Sequence, residues 1–261
     1  MNSTFKIAKY QIRNALRSKW LILYSLFFFL ISYALLSLAG GFEHALISLM
    51  NLILFVVPLT ALLYTIIYVY NSRDFIVLLL SQPIHRRTLY NGLYIGIALP
   101  LTSAFTIGMT IPFLIIANSG WLNSLILLLA IGSALTLIFL AIALILSIWF
   151  EEHIKGFGLA LFFWLFLSVV YDGLILLFIY IFAAYPLEKS LIGLILINPM
   201  DLGRLILLIH FNISAMLGYT GAVFKQFFGS ELGTIISVSA LLTWIIIPYL
   251  YGARLFAKKD F

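Results

Sequence analysis

Long apolar runs, each broken by a short polar segment, are the dominant pattern of the chain. An α-helix needs about 20 apolar residues to cross the hydrocarbon core of a bilayer, and these runs reach that length. They lack the period-two alternation of transmembrane β-strands. The pattern therefore predicts an all-α polytopic membrane protein, with one transmembrane domain over residues 1–261. Its six predicted spans are Trp20–Ala39, Leu46–Tyr70, Gly92–Ala117, Leu122–Phe150, Phe157–Ala184 and Leu232–Gly252.

Composition agrees with lipid as the main solvent of this protein. Hydrophobic residues make up 64% of the chain and charged residues only 9%, with a mean hydropathy of +1.17. A soluble domain carries about 25% charged residues, because it must cover a water-facing surface. The chain contains no cysteine, which excludes disulfides and thiolate metal sites.

The position of the charges predicts the topology. The net charge is +6, and twelve of the fifteen Lys and Arg residues fall in four segments that an even number of spans places on one side. Cytoplasmic loops are enriched in Lys and Arg, so we expect both termini in the cytoplasm and the chain in the inner membrane. Residues 2–19 repeat basic and apolar positions at helical spacing, which predicts an interfacial amphipathic helix. The charge therefore indicates membrane topology and not nucleic-acid binding.

Signatures of catalysis and of cofactor binding are absent from the sequence. It has no G-x-x-x-x-G-K-[ST] loop to hold ATP phosphates and no H-E-x-x-H zinc motif. The four histidines are scattered over loops, and the methionines follow no repeated spacing. We expect no catalytic residues, no metal site and no cofactor in this chain, which is therefore not expected to be an enzyme.

The predicted inner loop, residues 71–91, combines basic and apolar residues. Arg73 and Asp74 open it, and Gln82, Pro83, Arg86 and Arg87 lie near its end. Between these two groups, the apolar stretch Phe75–Leu80 predicts a short helix along the membrane surface. A solvated positive-inside loop would explain the arginines but not this stretch, so the loop favours docking of a soluble partner.

Asp172 is the one ionised side chain predicted in the middle of a span. It lies about 22 Å along the fifth span from the inner end, at 1.5 Å per residue. An intramembrane carboxylate faces the bundle interior or a watery cavity, because lipid solvates it poorly. Two interpretations stay open for Asp172: a functional group in a cavity, or a hydrogen-bonded packing residue.

Residues 185–230 break the pattern of spans. Their apolar runs are interrupted by Asn198-Pro199 and by the charged pair of Asp201 and Arg204. We expect this outer surface segment to form short helices that dip into the membrane or lie on it. Asn198 before Pro199 is typical of a helix start. Asp201 complements the helix dipole in the first turn, and Arg204 follows at i+3 for an ion pair.

Three stretches carry a resemblance to a known family. They are Leu78–Pro83 with Arg86-Arg87, Phe163-Trp164 through Tyr171–Leu174, and Leu196–Asp201 with Arg204-Leu205. In sequence and order they resemble the type 2 ABC exporter permeases, in particular the NosY-like permeases of the nitrous oxide reductase maturation transporter. The Gln-Pro motif with its basic pair is widespread in type 2 permeases, whereas the spacing from Asp172 to Asn198 is more specific.

The resemblance implies a set of partners. It implies a homodimer on two cytoplasmic ATPase subunits, which hold the ATP and Mg, and a periplasmic solenoid protein at the outer face. The inner loop and the turn with Glu151 and Glu152 would dock the ATPase. The implied role is support of copper-sulfur centre assembly in nitrous oxide reductase, with membrane lipids around the chain.

Three other functions are alternatives to this one. A general type 2 exporter of lipid, glycan or drug is the main alternative, and a co-located gene cluster would separate the two. A membrane scaffold without cargo would dock an ATPase but lack a substrate-sized cavity. A secondary transporter relaying ions through Asp172 predicts inverted repeats and several intramembrane charges, neither of which the sequence shows.

Overall fold

The computed structural model describes Lys9 and residues 11–12, 18–116, 121–183, 185, 187–211 and 231–259, with backbone alone for residues 188, 189, 231 and 232. In these ranges every regular element is helical, apart from turns. The α-helices are α1 (Lys19–Leu38), α2 (Phe42–Asn71), α3 (Arg73–Leu80), α4 (Arg86–Ile116), α5 (Leu122–Trp149), α6 (His153–Leu165), α7 (Tyr171–Ile181), α8 (Glu188–Ile197), α9 (Pro199–His210) and α10 (Glu231–Lys258). A π-helical segment, Phe166–Val170, joins α6 to α7.

Six helical segments are long and apolar enough to cross a membrane. They are α1, α2, α4, α5, the continuous segment His153–Ile181 and α10 from Gly233 onward. The predicted all-α, six-span class is therefore confirmed. The boundaries differ, because α2 and α4 contain 30 and 31 residues and extend past the apolar runs into polar sequence. At 1.5 Å per residue they exceed a hydrocarbon core of about 30 Å.

The central helix is α5, in which 67% of the residues in its apolar 18-residue stretch are buried. It packs against α2, α4 and α10, while α1 lies on α4 and α6 lies on α2. Fully buried side chains such as Leu135, Ile138 and Phe139 fill this centre. The fifth span is the opposite case, because only 6% of the residues in its apolar 18-residue stretch are buried. Within the described part of one copy, the fifth span therefore remains largely exposed.

Close packing fixes the last helix against α4. A Cβ added at Gly252 of α10 would collide with the hydroxyl of Tyr90, so glycine is required for this approach. Nearby, the Tyr249 hydroxyl donates to the Asn91 side chain over 2.9 Å. The C-terminal half of α10 is thus held beside the start of α4.

The helix pair α8–α9 is bent by 114° at Asn198. The second helix, α9, is largely buried and packs against α2, α5 and α10. Residues 184, 186 and 212–230 of this predicted outer segment lie outside the described residues. Of the two possibilities left open by the sequence, the packing of α9 favours helices that dip into the bundle over helices that lie on its surface.

The predicted interfacial helix over residues 2–19 lies mostly outside the described residues. Of its side chains, Gln11 is buried and accepts a hydrogen bond from the Tyr68 hydroxyl of α2. Lys9 is exposed. This part of the N-terminal segment therefore contacts the bundle near the end of α2.

Candidate functional site

One polar network joins three segments at one end of the bundle. We call this the basic end, meaning α3, the 150–153 turn and the last turn of α10. The Arg73 guanidinium lies 3.4 Å from the Glu151 carboxylate and donates to the Glu151 carbonyl over 3.1 Å. The Lys259 ammonium lies 3.4 Å from the same carboxylate and donates to the Ile148 carbonyl. Glu151 therefore connects α3 to the C-terminal helix.

The electrostatics of Glu151 follow from these neighbours. The hydrogen bond and positive charge of Lys259, followed by the charge of Arg73, hold the pKa of Glu151 below its usual range. Its side chain is nevertheless 62% exposed, so water and salt screen these attractions. Glu152 stands apart, because it pairs with Lys155 at 2.7 Å within its own helix turn.

Arg86 and Arg87 have different environments. Both lie in the first turn of α4 and not in a loop as predicted. The Arg86 guanidinium donates to the carbonyls of Ala257 and Lys259, which are backbone groups at the end of α10. The last carbonyls of a helix lack intrahelical donors, so Arg86 caps α10. Arg87 is exposed, and of the two arginines it has the freer position for contact with a partner.

The short helix α3 presents apolar residues at the basic end. It spans Arg73–Leu80 and contains the predicted stretch Phe75–Leu80. Ile76 is buried, whereas Val77 and Leu78 are 43% and 56% exposed. Asp74, Gln82 and Pro83 are exposed around them. An exposed apolar patch rimmed by polar residues is typical of a protein-interaction surface.

Tyr70 fixes the end of α2 relative to the fifth span. Its hydroxyl donates to the Phe150 carbonyl over 2.7 Å, and its ring stacks on His153 with centroids 4.5 Å apart. A Cβ at Gly156 would collide with the same hydroxyl, so α6 approaches the end of α2 closely. Movement of the basic end would therefore reach the start of the fifth span directly.

A second polar network lies farther along the fifth span. We call Asp172, Asn198, Asp201 and Arg204 the charged cluster. The Arg204 guanidinium lies 2.8 Å from the Asp172 carboxylate and 3.3 Å from that of Asp201. The Asn198 amide donates to Asp201 over 2.8 Å. One guanidinium therefore serves two carboxylates, one on the fifth span and one on α9.

Asn198 holds this cluster together from the bend between α8 and α9. It is fully buried, and its side chain accepts from the Met200 amide over 3.0 Å as the N-cap of α9. Pro199 occupies the first helical position, as expected for a helix start. The Asn198 amide also donates to the Leu167 carbonyl over 2.9 Å. Asn198 thus connects the start of α9 to the fifth span.

The fifth span departs from α-helical geometry where Asn198 meets it. Leu167 lies in the π-helical segment Phe166–Val170, and π-helical turns inside α-helices occur frequently at functional sites. Just beyond it, the Tyr171 hydroxyl donates to the Leu194 carbonyl over 2.7 Å. Trp244 of α10 donates to the Leu196 carbonyl over 3.1 Å. Side chains from two spans therefore satisfy carbonyls near the end of α8.

A half-open cavity of about 270 Å³ adjoins the charged cluster. Asp172, Asp201 and Arg204 form its polar wall. The remaining lining residues are aliphatic: Ile175, Leu176, Ile179, Leu191, Ile195, Leu205 and Leu208. Asp172 therefore combines both interpretations left open by the sequence, since it lines a cavity and is also held in an ion pair.

The sequence found the members of this cluster but not their arrangement. It predicted the N-cap at Asn198 and the pair of Asp201 with Arg204 from local spacing, and both are present. The sequence did not connect Asp172 to these residues. A carboxylate in a span needs a cationic partner, and Arg204 lies within an apolar run of the sequence. The sequence also missed the π-helical segment and the role of Trp244. Among the described residues, no group of three or more His, Asp or Glu side chains is placed to hold a metal ion.

Comparison with known proteins gives two full-length relatives. The chain is 32% identical over 273 residues to a protein of Pseudomonas aeruginosa named probable ABC transporter permease protein NosY, covering 98% of this chain and 96% of that protein. It is 30% identical over 280 residues to the protein of the same name from Stutzerimonas stutzeri, covering 99% of both. No family model matches the chain.

Proposed function

The chain belongs to the NosY family of ABC transporter permeases, and from this premise we propose that it supports assembly of the copper-sulfur centres of nitrous oxide reductase. In this proposal it couples ATP hydrolysis on a separate cytoplasmic subunit to events at the outer face of the membrane. The observation that carries the proposal is the basic end, where an exposed amphipathic helix is connected to the fifth span and, through that span, to the charged cluster.

Docking of the ATPase is assigned to α3 and its surroundings. Val77 and Leu78 provide exposed apolar contacts, while Asp74, Gln82, Pro83 and Arg87 provide a polar rim. Arg73 and Glu151 connect this surface to the 150–153 turn. A force applied to α3 by a partner would therefore reach both the fifth span and α10.

Transmission is assigned to the fifth span. It begins beside Tyr70 at the basic end and carries Asp172 to Arg204 of α9. The π-helical segment between these points offers a place where the span can change its winding.

The proposed assembly contains two copies of this chain, two ATPase subunits and a periplasmic solenoid protein. The fifth span supports the homodimer, because α7 has no fully buried residue in the described part of one copy. Its exposed apolar side chains Leu174, Leu177 and Ile181 are available to a second copy. The positive-inside distribution supports a cytoplasmic position for the basic end. ATP and Mg are placed on the ATPase subunits, since the sequence has no phosphate-binding loop.

This chain is proposed to transmit conformational change and not to coordinate copper along a pathway. It has no cysteine, and its four histidines lie on different segments. The cavity beside the charged cluster, at about 270 Å³, is below the usual 300–1,000 Å³ of drug-sized sites. This cavity is therefore not proposed as the site of a drug-sized cargo.

Copurification from the native host tests the docking assignment. We expect Arg87→Glu to reduce recovery of the ATPase subunit and its stimulated hydrolysis, because the charge reversal lies on the exposed rim. Arg254→Glu is a matched control, since it reverses an exposed charge on α10, outside α3, its rim and the 150–153 turn. Unchanged recovery and hydrolysis in Arg87→Glu would refute the docking surface.

Arg86→Glu should act differently from Arg87→Glu. Because Arg86 caps α10, we expect this substitution to lower the melting temperature of the chain itself as well as ATPase recovery.

Recovery of a nitrous oxide reductase maturation system, with its ATPase and a periplasmic repeat protein, would support the specific role. Recovery of an ATPase with an unrelated export system would instead support the general exporter.

A further inference from the structure

We propose that the groove between α1 and α2 holds one phospholipid with an anionic headgroup, as a resident lipid and not as cargo. The groove has a volume of about 870 Å³, which is larger than the cavity of about 270 Å³ beside the charged cluster. Its walls come mainly from α1 and α2, with Leu101 of α4 and Phe157 of α6 at its edges. Neither polar network contributes to it, so the proposal does not depend on the cargo of the transporter.

The lining changes from polar to apolar along the groove. Ser18, Asn71 and Ser72 line the part of the groove next to the start of α3, together with Tyr64 and Tyr68. The lining farther along consists chiefly of apolar side chains: Leu23, Phe27, Val56, Leu59 and Leu63. A ligand that fits both parts must be amphiphilic, with its polar group at the basic end and its hydrocarbon deeper in the membrane.

The length of the groove matches one leaflet of a bilayer. It follows α2 from Val56 to Asn71, roughly 22 Å at 1.5 Å per residue. A bilayer with its headgroup regions is about 40–45 Å thick, so one leaflet accounts for half of that. A phospholipid would therefore place its headgroup beside Asn71 and Ser72 and its acyl chains between α1 and α2.

The charge at the polar mouth favours an anionic headgroup. Lys19 is exposed and stands in the sequence between Ser18 and Trp20, which both line the groove. Trp20 is 66% exposed, and exposed tryptophan is typical of the membrane–water interface. Lys9 is also exposed on the N-terminal segment that contacts Tyr68 through Gln11. Each Lys near an anionic lipid surface strengthens binding by about five-fold.

Lipid retention by the full chain provides the test. The protein is reconstituted in vesicles of equal parts phosphatidylglycerol and phosphatidylcholine, re-extracted in mild detergent and washed, and bound lipid is counted by native mass spectrometry. Leu63→Trp fills the groove from α2. Leu26→Trp is the matched control, because Leu26 is 51% exposed on α1 but does not line the groove.

The wild-type chain should retain about one phospholipid, mainly phosphatidylglycerol, and Leu63→Trp should lose most of it while Leu26→Trp keeps it. Lys19→Gln should keep the lipid but lower the preference for phosphatidylglycerol by about five-fold.

Equal retention in Leu63→Trp and wild type, or equal loss in Leu26→Trp, would refute a specific site. If Leu63→Trp lowers the melting temperature, Leu59→Phe makes the same test with a smaller addition. A Leu63→Trp protein that changes oligomeric state with lipid unchanged would assign the groove to a second copy and overturn the proposal.

Discussion

The basic end and the charged cluster use the same chemistry in different surroundings. Each contains an arginine at ion-pair distance from a carboxylate, Arg73 from Glu151 and Arg204 from both Asp172 and Asp201. At the basic end the Glu151 side chain is 62% exposed, whereas in the charged cluster the Asp201 side chain is 8% exposed. Exposed ion pairs contribute about 0–1 kcal/mol because water competes for the charges. Loss of one partner from a buried pair is far more damaging, because it leaves a poorly solvated charge.

This difference suits the two regions to different tasks. Contacts at the basic end are weak enough for a partner to rearrange them, and they lie beside the exposed residues of α3. The charged cluster holds α9 against the fifth span through an ion pair that is about one-third exposed, and this pair is anchored on the buried side chains of Asn198 and Asp201. The proposed machine therefore has an adjustable end for docking and a fixed connection where motion would be transmitted.

Removal of Arg204 should have the largest effect. Arg204→Gln leaves Asp172 and Asp201 facing each other without a cation. Because only Asp201 of the two carboxylates is buried, we expect a loss of about 2–3 kcal/mol of stability. The melting temperature of purified protein in detergent measures this. Arg87→Gln, an exposed arginine at the basic end, is the control and should melt like the wild type. Equal melting temperatures for both variants would show that the charged cluster is solvated like the surface.

Asn198 should follow in order of effect. Asn198→Ala removes the cap of α9 and the donors to Leu167 and Asp201, and we expect a loss of about 2 kcal/mol. Asn198→Ser is the matched variant, because serine keeps the N-cap acceptor but cannot make both donations. A serine variant between alanine and wild type would separate the cap from the connection to the fifth span. A serine variant as stable as wild type would show that only the cap matters.

Asp172→Asn should affect coupling more than stability. Arg204 keeps Asp201 as its partner at 3.3 Å, so we expect a change in stability of about 1 kcal/mol or less. The ion pair between the fifth span and α9 is lost, and we expect ATP hydrolysis to continue without maturation activity. Hydrolysis and maturation are measured on the same preparation. Wild-type maturation would demote Asp172 to a packing residue.

The smallest effect is expected at Glu151. Glu151→Gln should leave the melting temperature unchanged and only increase hydrogen exchange at the end of α10. Because the pKa of Glu151 is lowered in the folded protein, its contribution is present at neutral pH and is lost as the pH falls through that lowered value. Salt at 1 M should mimic the substitution, since screening then acts within about 3 Å. A large fall in melting temperature would contradict the proposed contrast between the two regions.

The sequence predicted features that depend on composition and on near neighbours. The six spans follow from apolar runs whose polar backbone can be satisfied in lipid only within helices. The helix Phe75–Leu80 and the N-cap at Asn198 follow from residues a few positions apart. The boundaries were less predictable, because α2 and α4 continue past their apolar runs into polar residues that hydropathy assigns to loops.

The tertiary structure alone decided which distant residues meet. Asp172 and Arg204 are 32 positions apart, Arg86 and Lys259 are 173 apart, and neither spacing contains a signal of contact. The bend of 114° between α8 and α9 and the packing of α9 against α2, α5 and α10 bring the first pair together. The sequence determined that this chain lies in the membrane as helices, because the solvation of apolar side chains and backbone is a local property. The pairing of charges in that membrane depends on how helices pack, and helix packing is a property of the whole bundle.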